Sequence, residues 1–320
     1  MRRVFLLVTV LVVSVTLCVL AGCEKNTGTN PQFAPIEQQP IKDMLTTSSY
    51  ALPMEFFSDQ QYTDNGVLGE GMSYPLSGDV GQVLPPVRFF RIIRFSPRVD
   101  YIIQLPGSEG DSTADVRIVH HISGVFVVDN TVDNVRNPFF RSFTSRAVSN
   151  VMARRVNGNW RISEISPTDV SSTNDLGTTI QIEWMSVEGS SLTFPKSTLY
   201  SADTLLSLGE LPAFAPGDTV RVQARAFSTA PDGCWLFLHV HSRFGASVFH
   251  MRIPFVRNQS DPTLFRAAWI VPEGIEVPRV FHMAVDGIGW DTLFGNQRAV
   301  YNSKMWSVPC LIGFPQLVRE

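Results

Sequence analysis

A chain of 320 residues, 44% of them hydrophobic and 17% charged, is long and apolar enough for two domains of ordinary size. Its formal net charge of −3, from 26 basic and 29 acidic side chains with no extended basic run, argues against a nucleic-acid binder. Four cysteines are too few for a cysteine-rich scaffold.

The first element is an export signal. Arg2 and Arg3 form a basic start, Val4 to Leu20 is apolar except for Thr9, Ser14 and Thr16, and small residues precede Cys23. The apolar run approaches the roughly 18 to 20 residues that cross a bilayer, but its ending is that of a cleavage site. Leu20-Ala21-Gly22-Cys23 resembles the lipobox of bacterial lipoproteins. The resemblance implies removal of residues 1–22 and lipid on the thiol of Cys23, which anchors the mature chain to a membrane without spanning it. Each buried acyl CH₂ contributes about 0.8 kcal/mol, so two or three chains hold a protein on a bilayer almost permanently. Glu24 is not the aspartate that such proteins carry for inner-membrane retention in enterobacteria. The expected location is therefore the bacterial cell envelope, at the outer membrane.

Residues 23–39 are polar and rich in Asn, Gln, Thr and Pro, and read as a flexible tether. Ile41, Met44 and Leu45 stand near helical spacing, which predicts a short helix between Ile41 and Phe57, interrupted by Pro53. Asp64 to Pro86, with Gly66, Gly69, Gly71, Gly78 and Gly81, reads as a long loop.

Five β-branched and aromatic segments follow: Arg88 to Phe95, Tyr101 to Leu105, Ala114 to Asp129, Phe139 to Val156 and Trp160 to Ile165. Val116, Ile118, His120, Ile122, Phe126 and Val128 share one face of the third, where Gly124 is expected to bend or bulge the strand. Asn157-Gly158 marks a hairpin. A short helix, long strands and a closing hairpin over residues 40–168 resemble the NTF2-like fold, which implies a curved sheet around a pocket.

Ser166 to Gly177 reads as an interdomain linker. Beyond it, seven segments have strand character: Ile180 to Trp184, Val220 to Phe227, Trp235 to His241, Val248 to Phe255, Leu264 to Val271, Val280 to Asp286 and Lys304 to Leu311. Phe214-Ala215-Pro216-Gly217-Asp218-Thr219-Val220 resembles the turn entering the second strand of bacterial immunoglobulin-like domains. The resemblance implies a β-sandwich over residues 178–313. The fold class expected for the chain is therefore mainly β: an α+β, NTF2-like domain followed by an immunoglobulin-like sandwich.

No Walker A loop, dinucleotide fingerprint, Gly-x-Ser-x-Gly elbow, His-Glu-x-x-His or Cys-x-x-Cys occurs. Four of the six histidines lie on predicted strands of the second half. Apolar residues alternate with them, so Leu236, Leu238 and Val240 face one way and His239 and His241 the other. An odd-sum pairing, such as Arg243 opposite Ala246, puts His239, His241 and His250 on one outer face, and His282 joins them from a neighbouring strand. Such a face is a candidate Zn²⁺ site, provided the nitrogens reach one point about 2.0 to 2.1 Å away. The plainer alternative is a sheet face that uses polar aromatics. His120 and His121 point to opposite faces and cannot act as a pair.

The expected function is a non-enzymatic lipoprotein with a binding or scaffolding role toward a protein or glycan partner. Two alternatives stand beside it: a hydrolase or isomerase with a pocket near His120, and a metal or small-ligand binder that uses the outer histidines.

Overall fold

The computed structural model describes residues 35–51, 81–82, 85, 87–94, 98–105, 112–131, 135, 137–174, 177–190, 197–244 and 247–313. The expected signal, Cys23, most of the expected tether and most of the Gly-rich loop lie outside them. Among the described residues no helix is long and apolar enough to cross a membrane.

The chain is mainly β. Helix α1 (Pro35–Thr47) begins inside the expected tether and passes through Pro40. It ends before Pro53, and its Ile41 and Leu45 are fully buried. These apolar side chains recur at i and i+4, so one stripe packs inward while Gln39, Asp43 and Thr47 stay exposed.

Strands β2 (Arg88–Ile93), β3 (Arg98–Gln104), β4 (Thr113–Asp129), β5 (Phe139–Val156) and β6 (Asn159–Ile165) fall where the β-branched and aromatic runs place them. The alternation in β4 holds, with Val116, Ile118, Ile122, Phe126 and Val128 buried along one face. Gly124 forms no bulge there, because Ile93, Gly124 and Phe143 pair across β2, β4 and β5 without a register shift. The bulge is therefore corrected: the glycine serves close approach, since a Cβ would lie 2.2 Å from the Ile92 carbonyl oxygen and 2.7 Å from the Phe143 ring.

The expected linker is also corrected. Thr168–Ser172 is strand β7, inserted between β5 and β18 (Ser303–Ile312), and Ser166, Thr168 and Ser172 are buried. Residues on both sides of the expected boundary thus belong to one sheet. Its strand path also includes β10 (Leu206–Ser207), β13 (Cys234–Phe244), β14 (Ser247–Pro254) and β17 (Arg279–Gly289). The order is β10-β6-β5-β7-β18-β17-β13-β14, with β4 on β5, β2 and β3 both on β4, and β11 (Ala213–Phe214) on β18.

The second sheet has the order β1-β15-β16-β12-β8-β9, formed by Gly81–Gln82, Val256–Asn258, Leu264–Ile270, Thr219–Ser228, Ile180–Gly189 and Ser197–Leu199 respectively. It packs on one face of β13 and β17. Leu236, Leu238, Val240, Met283 and Val285 share a core cluster with Val220, Val222 and Trp269, and Trp269 stacks 6.0 Å from Phe281. The cluster also contains Phe89, Ile122, Phe126 and Phe143 from the first half of the chain. A smaller cluster joins Ile41 and Leu45 of α1 to Val116, Ile118, Val151, Ala153 and Ile162.

Cys234 and Cys310 are free and buried. Burial raises their thiols to about 11 and about 12, respectively. Cys310 pairs with Phe281, whose neighbour His282 pairs with His241, whereas Cys234 pairs with Gly289 at the other end of β17. Eight residues of strand separate Phe281 from Gly289, or about 26 Å at ~3.3 Å per residue, far beyond the roughly 7 Å Cα limit of a disulfide. Denaturing alkylation with peptide mapping should find both thiols free; a Cys234–Cys310 crosslink would contradict this strand order.

Candidate functional site

The four candidate metal ligands do share one face. His241 lies directly opposite His250 on β14 and His282 on β17, and His239 lies opposite Arg252 and Ala284. The pairing sum is odd, as expected, but the register is Arg243 with Val248, two residues from the one anticipated.

The expectation that this face is exposed is corrected. His239 and His241 retain 1% of their accessible surface and His282 retains 4%. The cover comes from the chain's first half. Phe89 of β2 packs edge-on against Phe237, with ring centres 4.8 Å apart, and the Ser49 carbonyl bonds His282 Nε2 at 2.9 Å. Arg252 of β14 donates to the Phe89 carbonyl at 2.7 Å and lies 3.9 Å over its ring. The β2 and β14 ends of the curled strand path thus meet through side chains over the histidines.

At the centre is an ion pair. Arg91 Nη2 donates to Asp286 Oδ2 at 2.7 Å, with the two side chains 6% and 0% exposed. Arg91 Nε donates to Tyr301 Oη at 2.9 Å, which also accepts from Ser303 Oγ at 2.8 Å. His239 Nε2 is 3.0 Å from the same Asp286 oxygen, and His239 Nδ1 is 3.2 Å from His250 Nε2. Two neutral imidazoles satisfy this chain if His250 donates to His239 and His239 donates to Asp286. Burial pushes the Asp286 carboxyl up, but Arg91 and His239 outweigh it, and the net position is below the usual carboxylate range. Burial, then the neighbouring His239 and Arg252, hold His250 well below an ordinary imidazole.

His239 Nδ1 and His282 Nε2 are thus hydrogen-bonded within the protein and His239 Nε2 lies 3.0 Å from the Asp286 carboxylate, so a zinc ion would have to displace these contacts. Among the described residues no group of three or more His, Cys, Asp or Glu is arranged to hold a metal ion. His120 lies on the inward face of β4 opposite Val99 and Ala147, with burial as the main cause lowering it to about 4. His121 points outward and bonds Asp100 at 3.0 Å.

These imidazoles make stability depend on pH. Burial lowers His282 to about 4; the bond to Ser49 opposes this and His241 adds to it. An imidazole near 6.5 when unfolded and near 4 when folded is neutral in the native state. Its contribution, roughly 3 kcal/mol for His282, is complete above about pH 6.5 and is lost as pH falls toward 4. Urea unfolding should show a much lower midpoint at pH 5 than at pH 7.5. An equal or higher midpoint at pH 5 would refute the buried neutral state.

A separate surface feature was not anticipated. A cleft of about 220 Å³ lies where the turn before β13 meets helix α2 (Trp290–Phe294), and Asn174, Thr179, Asp232, Trp290, Asp291 and Asn302 line it. Its walls are tied together. Trp290 N–H donates to the Gly233 carbonyl at 3.0 Å, Gly289 N–H to the Asn302 carbonyl at 2.9 Å, and Asn302 Nδ2 to Thr179 Oγ1 at 2.5 Å. Arg141, buried on β5, donates to the carbonyls of Thr292, Asn296, Ala299 and Gly295 at 2.8 to 3.1 Å. One side chain thereby holds the α2 segment against the body. The signal for Arg141 was legible: a cation at an inward position of a strictly alternating strand needs partners.

Trp290 is half-buried against Phe294, while Asp232 and Asp291 are exposed. The cleft therefore offers an indole edge, carboxylates and carboxamides, a combination that suits a small polar ligand or a partner's side chain. No protein-family model matches the chain, and neither a curated protein nor a solved structure matches it.

Proposed function

We propose that the protein is a lipid-anchored binding or scaffolding protein of the bacterial cell envelope, held by lipid on Cys23, with the Trp290 cleft as its contact site for a protein or glycan partner. The observation that carries this reading is the cleft: a solvent-facing recess with hydrogen-bonded walls, lined by carboxylates, carboxamides and an indole but by no imidazole or thiol. Arg91, Asp286, His239 and His250 instead contact one another in the interior. That arrangement supports a structural role for the histidine face over hydrolase, isomerase or metal chemistry.

Architecture supports the reading in its finer form. The orders β15-β16-β12-β8 and β14-β13-β17-β18 over residues 180–312 favour an immunoglobulin-like sandwich. Helix α1 against β4, β5 and β6 favours an NTF2-like arrangement for residues 40–168.

Cys23→Ser should abolish palmitate incorporation and release the chain from the membrane fraction. Partner capture by the unlipidated mature chain should fall at least tenfold on Trp290→Ala with the fold intact. Label entering the Cys23→Ser chain would refute the anchor, and turnover of a substrate by the purified chain would refute the non-enzymatic reading.

A further inference from the structure

The β5–β6 hairpin turns at Asn157 and Gly158, whose φ values of 51° and 82° are those a two-residue hairpin turn requires. The turn sets Arg154 directly opposite Arg161 and Arg155 opposite Trp160. All three arginines are exposed. Like charges directly opposite on paired strands are destabilising. Among the described residues, the side chains of Arg154 and Arg161 make no hydrogen bond or ion pair to offset this. Arg155 Nε bonds only the turn, at the Gly158 carbonyl, 3.3 Å away.

Among the described residues, the carboxylates nearest along the ladder sit farther from the tip. Asp115 and Glu164 flank Met152, two residues before Arg154, and Arg117 follows opposite Asn150. Among the described residues the end of the hairpin is therefore cationic, and it carries apolar surface as well. Val156 is 40% exposed at the turn, and Trp160 is half-buried beside it. Arginines around an exposed aliphatic and an indole are the chemistry of a surface that rests on anionic headgroups.

The hairpin is also near the start of the folded body. Ile41 and Leu45 of α1 share the smaller core cluster with Ala153, Ile162 and Trp160. Ile36 lies thirteen residue steps beyond Cys23, and no conformation of thirteen steps spans more than about 43–47 Å. A body anchored at Cys23 thus has its first helix, and the hairpin packed beside it, within reach of the bilayer.

We propose that the tip of the β5–β6 hairpin is a second membrane contact, in which Arg154, Arg155 and Arg161 bind anionic phospholipid headgroups of the bilayer that holds the Cys23 lipid. The proposal rests on the lipid-anchor reading. It gives that reading an orientation, because a rigid basic tip beside the tether turns a point attachment into a docked pose. Each arginine near an anionic surface strengthens partitioning about fivefold, so three contribute on the order of 100-fold, within a Debye length of about 10 Å at ~0.1 M salt.

The test uses the mature chain from residue 23 carrying Cys23→Ser, so that no lipid contributes. Co-sedimentation should show binding to phosphatidylcholine–phosphatidylglycerol vesicles, little binding to pure phosphatidylcholine, and steep loss with added salt. Arg154→Gln, Arg155→Gln and Arg161→Gln together should weaken anionic-vesicle binding by about 100-fold without lowering the unfolding midpoint. A matching triple change at Arg221, Arg266 and Arg298, elsewhere on the body, should leave binding within about threefold. Equal binding to neutral and anionic vesicles, or a hairpin variant that binds like the parent, would overturn the proposal. Palmitate labelling of the native Cys23 chain reads the anchor separately, and the three glutamines should not change it.

Discussion

Asp286→Ala is expected to destabilise the fold by about 3–5 kcal/mol, because it leaves the Arg91 side chain, 6% exposed, without the carboxylate 2.7 Å away. Removing both charges should behave differently. Arg91→Met with Asp286→Leu replaces the pair by apolar groups of similar volume, and such exchanges are often neutral or stabilising. The double variant should therefore recover most of the single variant's loss in urea unfolding at pH 7.5. The deficit should persist at pH 5, because the folded-state carboxyl lies below its ordinary range and stays charged there. Its stabilising contribution is present above about pH 4 and is lost only as pH falls through the lowered value. A loss under about 1 kcal/mol for Asp286→Ala would show that water reaches the pair.

Gly124→Ala should cost about 1–3 kcal/mol, and Gly124→Val more, for reasons of space. The added Cβ would sit 2.2 Å from the Ile92 carbonyl oxygen, and β2 would have to move away from β4. Such a movement would carry Phe89 and Arg91 with it, which are the residues that cover the histidine face. A second unfolding probe near Phe89 should therefore report the change along with the global midpoint. Gly209→Ala is the control: that residue is exposed and its Cβ would meet nothing within 4 Å, so stability should stay within about 0.5 kcal/mol. If Gly124→Ala behaved like Gly209→Ala, the close approach of β2 to β4 would be wrong.

Local chemistry determined much of the secondary structure. Phe139–Val156 is a strand over the same residues its β-branched and aromatic composition marks out, and Asn157-Gly158 turns the chain where only residues tolerant of positive φ can. Strand alternation also determined that His239, His241, His250 and His282 share a face, because any odd-sum pairing gives that result whichever register forms. The polar cluster from Ser166 onward reads as a linker for the same local reason, since its composition carries no strand signal.

Tertiary structure decided what each face meets. The segment Thr168–Ser172 is a strand because β5 and β18 present free hydrogen-bonding edges on either side of it, and its own sequence contributes little. The histidine face is interior because β2, about 150 residues earlier, lies across it. Arg91 and Asp286 are 195 residues apart, and each alone is an unexplained charge on an apolar strand. Arg141 likewise announces a need for acceptors without naming them. Periodicity is a property of a few consecutive residues and states which side chains point together. Which distant surface covers them depends on long-range closure of the chain, and that information resides in the packed fold.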